Sequence, residues 1–147
     1  MKEIFQEDEN FAGTKGLVFI GEKVLVYRRD ANAPKYPNLI DVPGGGKESN
    51  ETPFETFSRE VLEEFGLTIR QEDIVYGRKY KSAVKDNEFE WYLVAELPES
   101  DENNIVFGDA GVGYALMGLD EFLKRQDAWP AYQKRAADYL SSTKDTV

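Results

Sequence analysis

From Gly16 onward, short apolar runs alternate with turn residues along the chain. Leu17-Val18-Phe19-Ile20 and Val24-Leu25-Val26-Tyr27 flank Gly21-Glu22-Lys23. Two β-prone runs around a short glycine turn predict a hairpin. Ala33 to Asn38 contains two prolines and reads as a loop, and Leu39 to Val42 as a short strand ending at Pro43. Gly44-Gly45-Gly46 and a polar stretch to Glu51 follow as a loop. Ile74 to Tyr80 and Phe89 to Leu97 read as two more strands, with an acidic loop at Glu99 to Asn104. Ile105 to Met117 is strand-like but interrupted by Gly108, Gly111 and Gly113. Short helices are expected at Asp120 to Gln126 and Ala131 to Ser141, separated by Trp129-Pro130. The first ~10 residues read as a frayed or edge segment.

One helix stands out. Thr52 is a capping residue, Pro53 suits the first helical position, and Glu55 completes a capping box. The helix is expected to run to Phe65 and stop at Gly66, which tolerates a left-handed backbone. At ~100° per residue, Phe54, Phe57, Val61, Leu62 and Phe65 fall on one side. Glu60, Glu63 and Glu64 fall nearly opposite. Strands, one capped helix and terminal helices imply an α/β fold with a mixed sheet.

Composition narrows the chemistry. The 147 residues suit one domain over residues 1–147, and 41% hydrophobic content is enough for a sizeable core. No window approaches the ~20 apolar residues of a membrane span, and MKEIFQEDEN resembles neither a signal nor a transit peptide. There is no Cys and no His. A cytoplasmic enzyme is therefore the default, and acid–base or metal chemistry must run on carboxylates, Lys or Tyr. The net charge of −10 repels nucleic acid. A small phosphorylated substrate remains compatible, because a divalent cation reverses the local field.

Three carboxylates spaced i, i+3 and i+4 repel one another by a few tenths of a kcal/mol per pair. Such a face is either simply solvated or neutralised by a hard cation such as Mg²⁺ or Mn²⁺, which prefers oxygen ligands. The wider pattern adds to this. Gly45, five residues, Glu51, seven residues, then Arg59-Glu60-Val61-Leu62-Glu63-Glu64-Phe65-Gly66-Leu67 resembles the Nudix box G-x5-E-x7-R-E-U-x-E-E-x-G-U at all nine specified positions. Here U is a bulky aliphatic residue, filled by Val61 and Leu67.

The resemblance implies a Nudix-type α/β/α sandwich and a MutT-like hydrolase that cleaves a diphosphate linkage with Mg²⁺ or Mn²⁺. It implies Glu60 and Glu64 as principal metal ligands and Glu63 as a third, with Glu60 alternatively the base. Gly44 would offer its carbonyl oxygen, Gly45 would permit a close backbone turn, and Glu51 and Arg59 would orient the carboxylates. Family members often place a further acid in a loop before the last strand. Asp109 is the candidate here, with Asp101 and Glu102 competing. Arg28 or Arg29 is expected on a phosphate, and Tyr80, Trp91 or Tyr92 on a base, although such strand aromatics are more often core.

The signatures of NADH, coenzyme A, ADP-ribose and dinucleoside polyphosphate subfamilies are absent. MutT-like nucleoside triphosphate diphosphatases and nucleotide-sugar hydrolases remain. The expected partner is a small nucleotide-like molecule, with no nucleic acid and no membrane, and a homodimer stays open. The rival is a silent nucleotide- or ADP-ribose-binding Nudix module. An isopentenyl diphosphate isomerase would need a Cys that this chain lacks.

Overall fold

The computed structural model describes residues 8–83 and 85–144. Most of the expected N-terminal edge segment, residues 1–7, lies outside the described residues. Seven strands form one mixed sheet: β1 (Gly13–Ile20), β2 (Lys23–Arg28), β3 (Ile40–Asp41), β4 (Gly44–Gly46), β5 (Ile74–Lys81), β6 (Phe89–Leu97) and β7 (Gly113–Gly118). Among the described residues three α-helices join them: α1 (Pro53–Phe65), α2 (Leu119–Lys124) and α3 (Pro130–Lys144). Among the described residues no helix is long and apolar enough to cross a membrane.

The main path through the sheet runs β3-β2-β1-β6-β5, with β7 on β2 and β4 on β1. The hairpin forms as expected, with Gly21 at φ +63° making the turn. Strand β1 is parallel to β6 over eight pairs, from Gly13 against Glu90 to Ile20 against Leu97. Because side chains alternate along a strand, β1 feeds both faces of the sheet. Val18 and Ile20 join Phe57, Val61 and Phe65 of α1 in one core. Leu17 joins Tyr92, Trp129, Tyr132 and Ala136 in a second core under α3. The α/β fold with helices on both faces of a mixed sheet is thus the observed one.

The α1 boundaries follow their local signals. The Thr52 side chain accepts from the Glu55 amide, the Glu55 carboxylate accepts from the Thr52 amide, and Gly66 closes the helix at φ 70°. Two expectations change. Gly44–Gly46 is a strand, because it pairs with β1 through Thr14 and Gly45. Of Ile105 to Met117, only the part from Gly113 is strand. The preceding stretch instead serves the end of α1: the Val106 amide donates to the Phe65 carbonyl at 2.9 Å and the Gly108 amide to Glu64 at 2.8 Å. Those carbonyls have no partner within the helix, and the loop satisfies them.

Candidate active site

Helix α1 packs against β1 and β4, and this decides what its acidic face meets. The expectation of glutamates opposite a buried stripe holds only in part. Glu60 is largely covered, with 17% of its side chain exposed, whereas Glu63 is 57% exposed. Glu64 is half-buried and accepts from the Gly44 amide at 3.1 Å. Leu62, expected in the core, is exposed instead. The helix turn is the reason: at ~100° per residue Glu64 stands about 20° from Phe57 and Leu62 about 80° from Phe54, at opposite edges of the buried stripe. The glycine strand lies over the edge bearing Glu60 and Glu64. Gly45 must be glycine for that approach, since a Cβ there would stand 2.5 Å from the Glu60 carboxyl carbon.

Arg59 ties the carboxylates together. Its guanidinium donates to both oxygens of Glu51 at 2.7 and 3.1 Å, to Glu60 at 3.0 Å, to Glu63 at 3.3 Å and to the Gly46 carbonyl at 2.8 Å. Glu51 also accepts from Thr56 and from the Glu48 amide, so helix, loop and β4 meet at this residue. The hydrogen bond from Arg59 holds the Glu51 carboxyl below the usual carboxylate range. Among the described residues no three acidic side chains converge as a preformed metal cage. In the present arrangement Arg59 provides the counter-charge to Glu60 and Glu63.

Glu64 is electrostatically different. Burial pushes its pKa up to about 7, and Glu60 and Asp41 add to the rise. Lys15 and the Gly44 amide pull the other way. Lys15 belongs to a buried cluster that the sequence reading missed. Its ammonium donates to Asp41 at 3.0 Å, to the Val42 carbonyl at 3.1 Å and to the Tyr27 hydroxyl at 3.3 Å. The same Asp41 oxygen accepts from Tyr27 and from Arg29. Burial opposes the charge on Lys15, but Asp41 beside it holds the ammonium well above its ordinary range. The sequence contains the signal: Lys15 and Asp41 each sit alone in an apolar strand run.

The remaining candidates are scattered. Arg28 donates to the Asn38 carbonyl and pairs with Asp127, and it lines a cavity of about 350 Å³ that the paired strands β2 and β7 form with Glu121 and Arg125. Arg29, one residue past the end of β2, lines a cavity of about 320 Å³ beside Gly45 and Gly46. Tyr80 packs on the α3 face of the sheet, donates to Asp138 and is covered by Arg135 and Arg78. Trp91 and Tyr92 are buried core residues. Asp109 is exposed, one residue beyond the Gly108 amide that holds the end of α1.

The family model described as the NUDIX domain matches residues 12–139. The chain therefore belongs to the Nudix family and is a Nudix hydrolase. The solved structures it resembles include a MutT protein from Methanosarcina mazei Go1, at TM-score 0.68 and 20% identity, covering 94% of this chain and 97% of that one. A bifunctional NMN adenylyltransferase/ADP ribose pyrophosphatase from Francisella tularensis, complexed with AMP and a Mn ion, matches at TM-score 0.72 and 19% identity. That match covers 90% of this chain and 42% of the other. The E. coli dihydroneopterin triphosphate pyrophosphohydrolase matches at TM-score 0.65 and 15% identity, covering 90% and 99%. At these identities the structures speak for the fold. Among curated proteins none matches at the sequence level.

Proposed function

We propose that this chain hydrolyses the diphosphate linkage of a nucleoside diphosphate joined to another moiety, a (deoxy)nucleoside triphosphate or a nucleotide sugar, with Mg²⁺ or Mn²⁺ as cofactor. The observation that carries this reading is Glu64. Its carboxylate is drawn under β4 beside Glu60, where burial and like charge both disfavour the anion. A divalent cation is the partner that would reverse that balance.

The donor set fits a hard cation, because it is built from oxygens with no His or Cys. Glu60, Glu63, Glu64 and the Gly44 carbonyl would hold it. When bound, such an ion supplies charge neutralisation on the diphosphate and lowers the pKa of a water. The chain's own residues do the rest. Arg59 and Glu51 fix the rotamers of the glutamates, Gly45 lets the backbone come close, and Glu60 is a ligand or, alternatively, the base. Asp109 would approach from the loop before β7, which the Gly108 amide anchors to the end of α1. The relatives named for ADP-ribose and dihydroneopterin triphosphate, one of them holding Mn, support the diphosphate class and the metal.

The test is a screen of the purified protein with Mg²⁺ or Mn²⁺ against deoxynucleoside triphosphates, nucleotide sugars, ADP-ribose and dinucleoside polyphosphates, with products resolved. The expected result is cleavage of one class to a nucleoside monophosphate, abolished by EDTA. Full turnover after thorough chelation would overturn the metal mechanism. Tight binding without cleavage of any ligand would favour a silent binding module.

A further inference from the structure

The cavity of about 320 Å³ beside Gly45 and Gly46 reverses the charge of the chain around it. Lys15, Arg29, Lys35 and Lys85 line it against two acids, Glu88 and Glu90, in a chain of 28 acidic and 18 basic residues. Pairing sorts these charges. Glu90 is bound by Arg135 and is neutralised within the wall. Lys15 and Arg29 share the single carboxylate of Asp41, which leaves a positive surplus. Lys35 and Lys85 are exposed, and among the described residues neither side chain has a hydrogen bond or ion pair. Only Glu88 opposes them, so the cavity is net positive.

The two aromatic residues that line the cavity, Trp129 and Tyr132, offer no open face to a base. Trp129 is 5% exposed, with Tyr36 at 4.3 Å and Tyr132 at 4.8 Å between ring centroids and the Arg29 guanidinium 5.2 Å over its ring. Tyr132 is buried against Tyr92 and Trp129, with Lys15 and Arg135 over its ring. Stacking a nucleobase requires an open π surface. What the cavity presents is ammonium groups, and these select anions.

We propose that this cavity binds a second anionic group of the substrate, a phosphate or carboxylate on the arm attached to the scissile diphosphate, and not the nucleobase. The proposal rests on the reading that the box cleaves a diphosphate. It adds that the favoured substrate class has a charged arm.

Two matched ligand pairs test it: UDP-glucose against UDP-glucuronate, and ADP-ribose against ADP-ribose phosphorylated on the terminal ribose. Affinities are measured by calorimetry in EDTA, which keeps the ligands intact. The charged member of at least one pair is expected to bind about tenfold tighter or more, and the pair that responds identifies carboxylate or phosphate. Lys35→Ala and Lys85→Ala should each shrink that ratio about threefold or more without moving Tm, since both side chains are exposed and unpaired. Added salt should shrink it too. Exchanging the base at a constant arm should change affinity by less than about threefold. Equal affinities within both pairs, binding of neither member, or discrimination between bases but not arms would overturn the proposal. Turnover with Mg²⁺ is scored separately. A charged-arm preference with no cleavage of any ligand would sink the hydrolytic reading and leave the chemistry of the cavity standing.

Discussion

Gly45 and Glu60 occupy one space: a Cβ on Gly45 would lie 2.5 to 2.7 Å from all three atoms of the Glu60 carboxyl group. Gly45 has no positive φ, so alanine suits its backbone. The atoms in the way are the far end of a flexible side chain. Gly45→Ala should therefore fold with a stability change within ~1 kcal/mol, yet displace Glu60 and lower kcat by ~10² or more. Thermal unfolding and steady-state kinetics check both halves, and wild-type turnover would remove Glu60 from the chemistry.

Glu64 predicts an inverted pH dependence of stability. Its folded pKa of about 7 lies above the reference value of 4.5. The folded state therefore binds the proton more tightly than the unfolded one. The stabilisation is full below about 4.5 and is lost as pH rises to about 7 in metal-free protein. Glu64→Gln has no such loss. Relative to wild type it should gain ~2–3 kcal/mol between pH 4.5 and pH 8 in EDTA, measured by urea unfolding. A difference that does not vary with pH would show that the Glu64 carboxyl is solvated like an ordinary one.

Asp41 is fully buried and receives Lys15, Arg29 and the Tyr27 hydroxyl. Asp41→Ala should cost ~3–5 kcal/mol, because it leaves the Lys15 ammonium buried without its counter-charge. The loss should fall when Lys15→Met is added, a coupling that a double-mutant cycle in urea measures directly. Additive effects would mean that Lys15 finds water when Asp41 is gone.

Asp109 predicts an effect on activity alone. It is exposed, and the Gly108 amide bonded to Glu64 anchors its loop against α1. Asp109→Asn should lower turnover by ~10-fold or more with little change in Tm. Asp101→Asn and Glu102→Gln, in the 3-10 turn after β6, should stay near wild type. A complex with metal and a non-hydrolysable analogue decides the matter. An Asp109 carboxylate more than ~8 Å from every metal and from the attacked phosphorus, beyond even one bridging water, would overturn the assignment.

The sequence by itself determined the elements whose signals are local. The helix from Pro53 to Phe65 follows from Thr52, Pro53, Glu55 and Gly66, all of which act within one turn of its ends. The hairpin follows from Gly21, and β6 from a run rich in aromatic and aliphatic residues ending at Pro98. The Nudix box was legible because its residues lie on one loop and one helix. Tertiary structure decided everything that depends on a distant partner. Gly44–Gly46 became a strand only because β1 pairs with it, and that pairing sets β4 against the flank of α1 that carries Glu60 and Glu64. Lys15 and Asp41 are 26 residues apart, and no periodicity connects them. Their contact comes from the β3–β4 segment lying between β2 and β1: Asp41 pairs with Tyr27 of β2, and Gly44, three residues on, pairs with Lys15 of β1. Ile105 to Val112 has strand-like composition, but the open carbonyls at the end of α1 took its amides first. Local propensity acts over a few residues, whereas burial and charge compensation are properties of the whole packed chain.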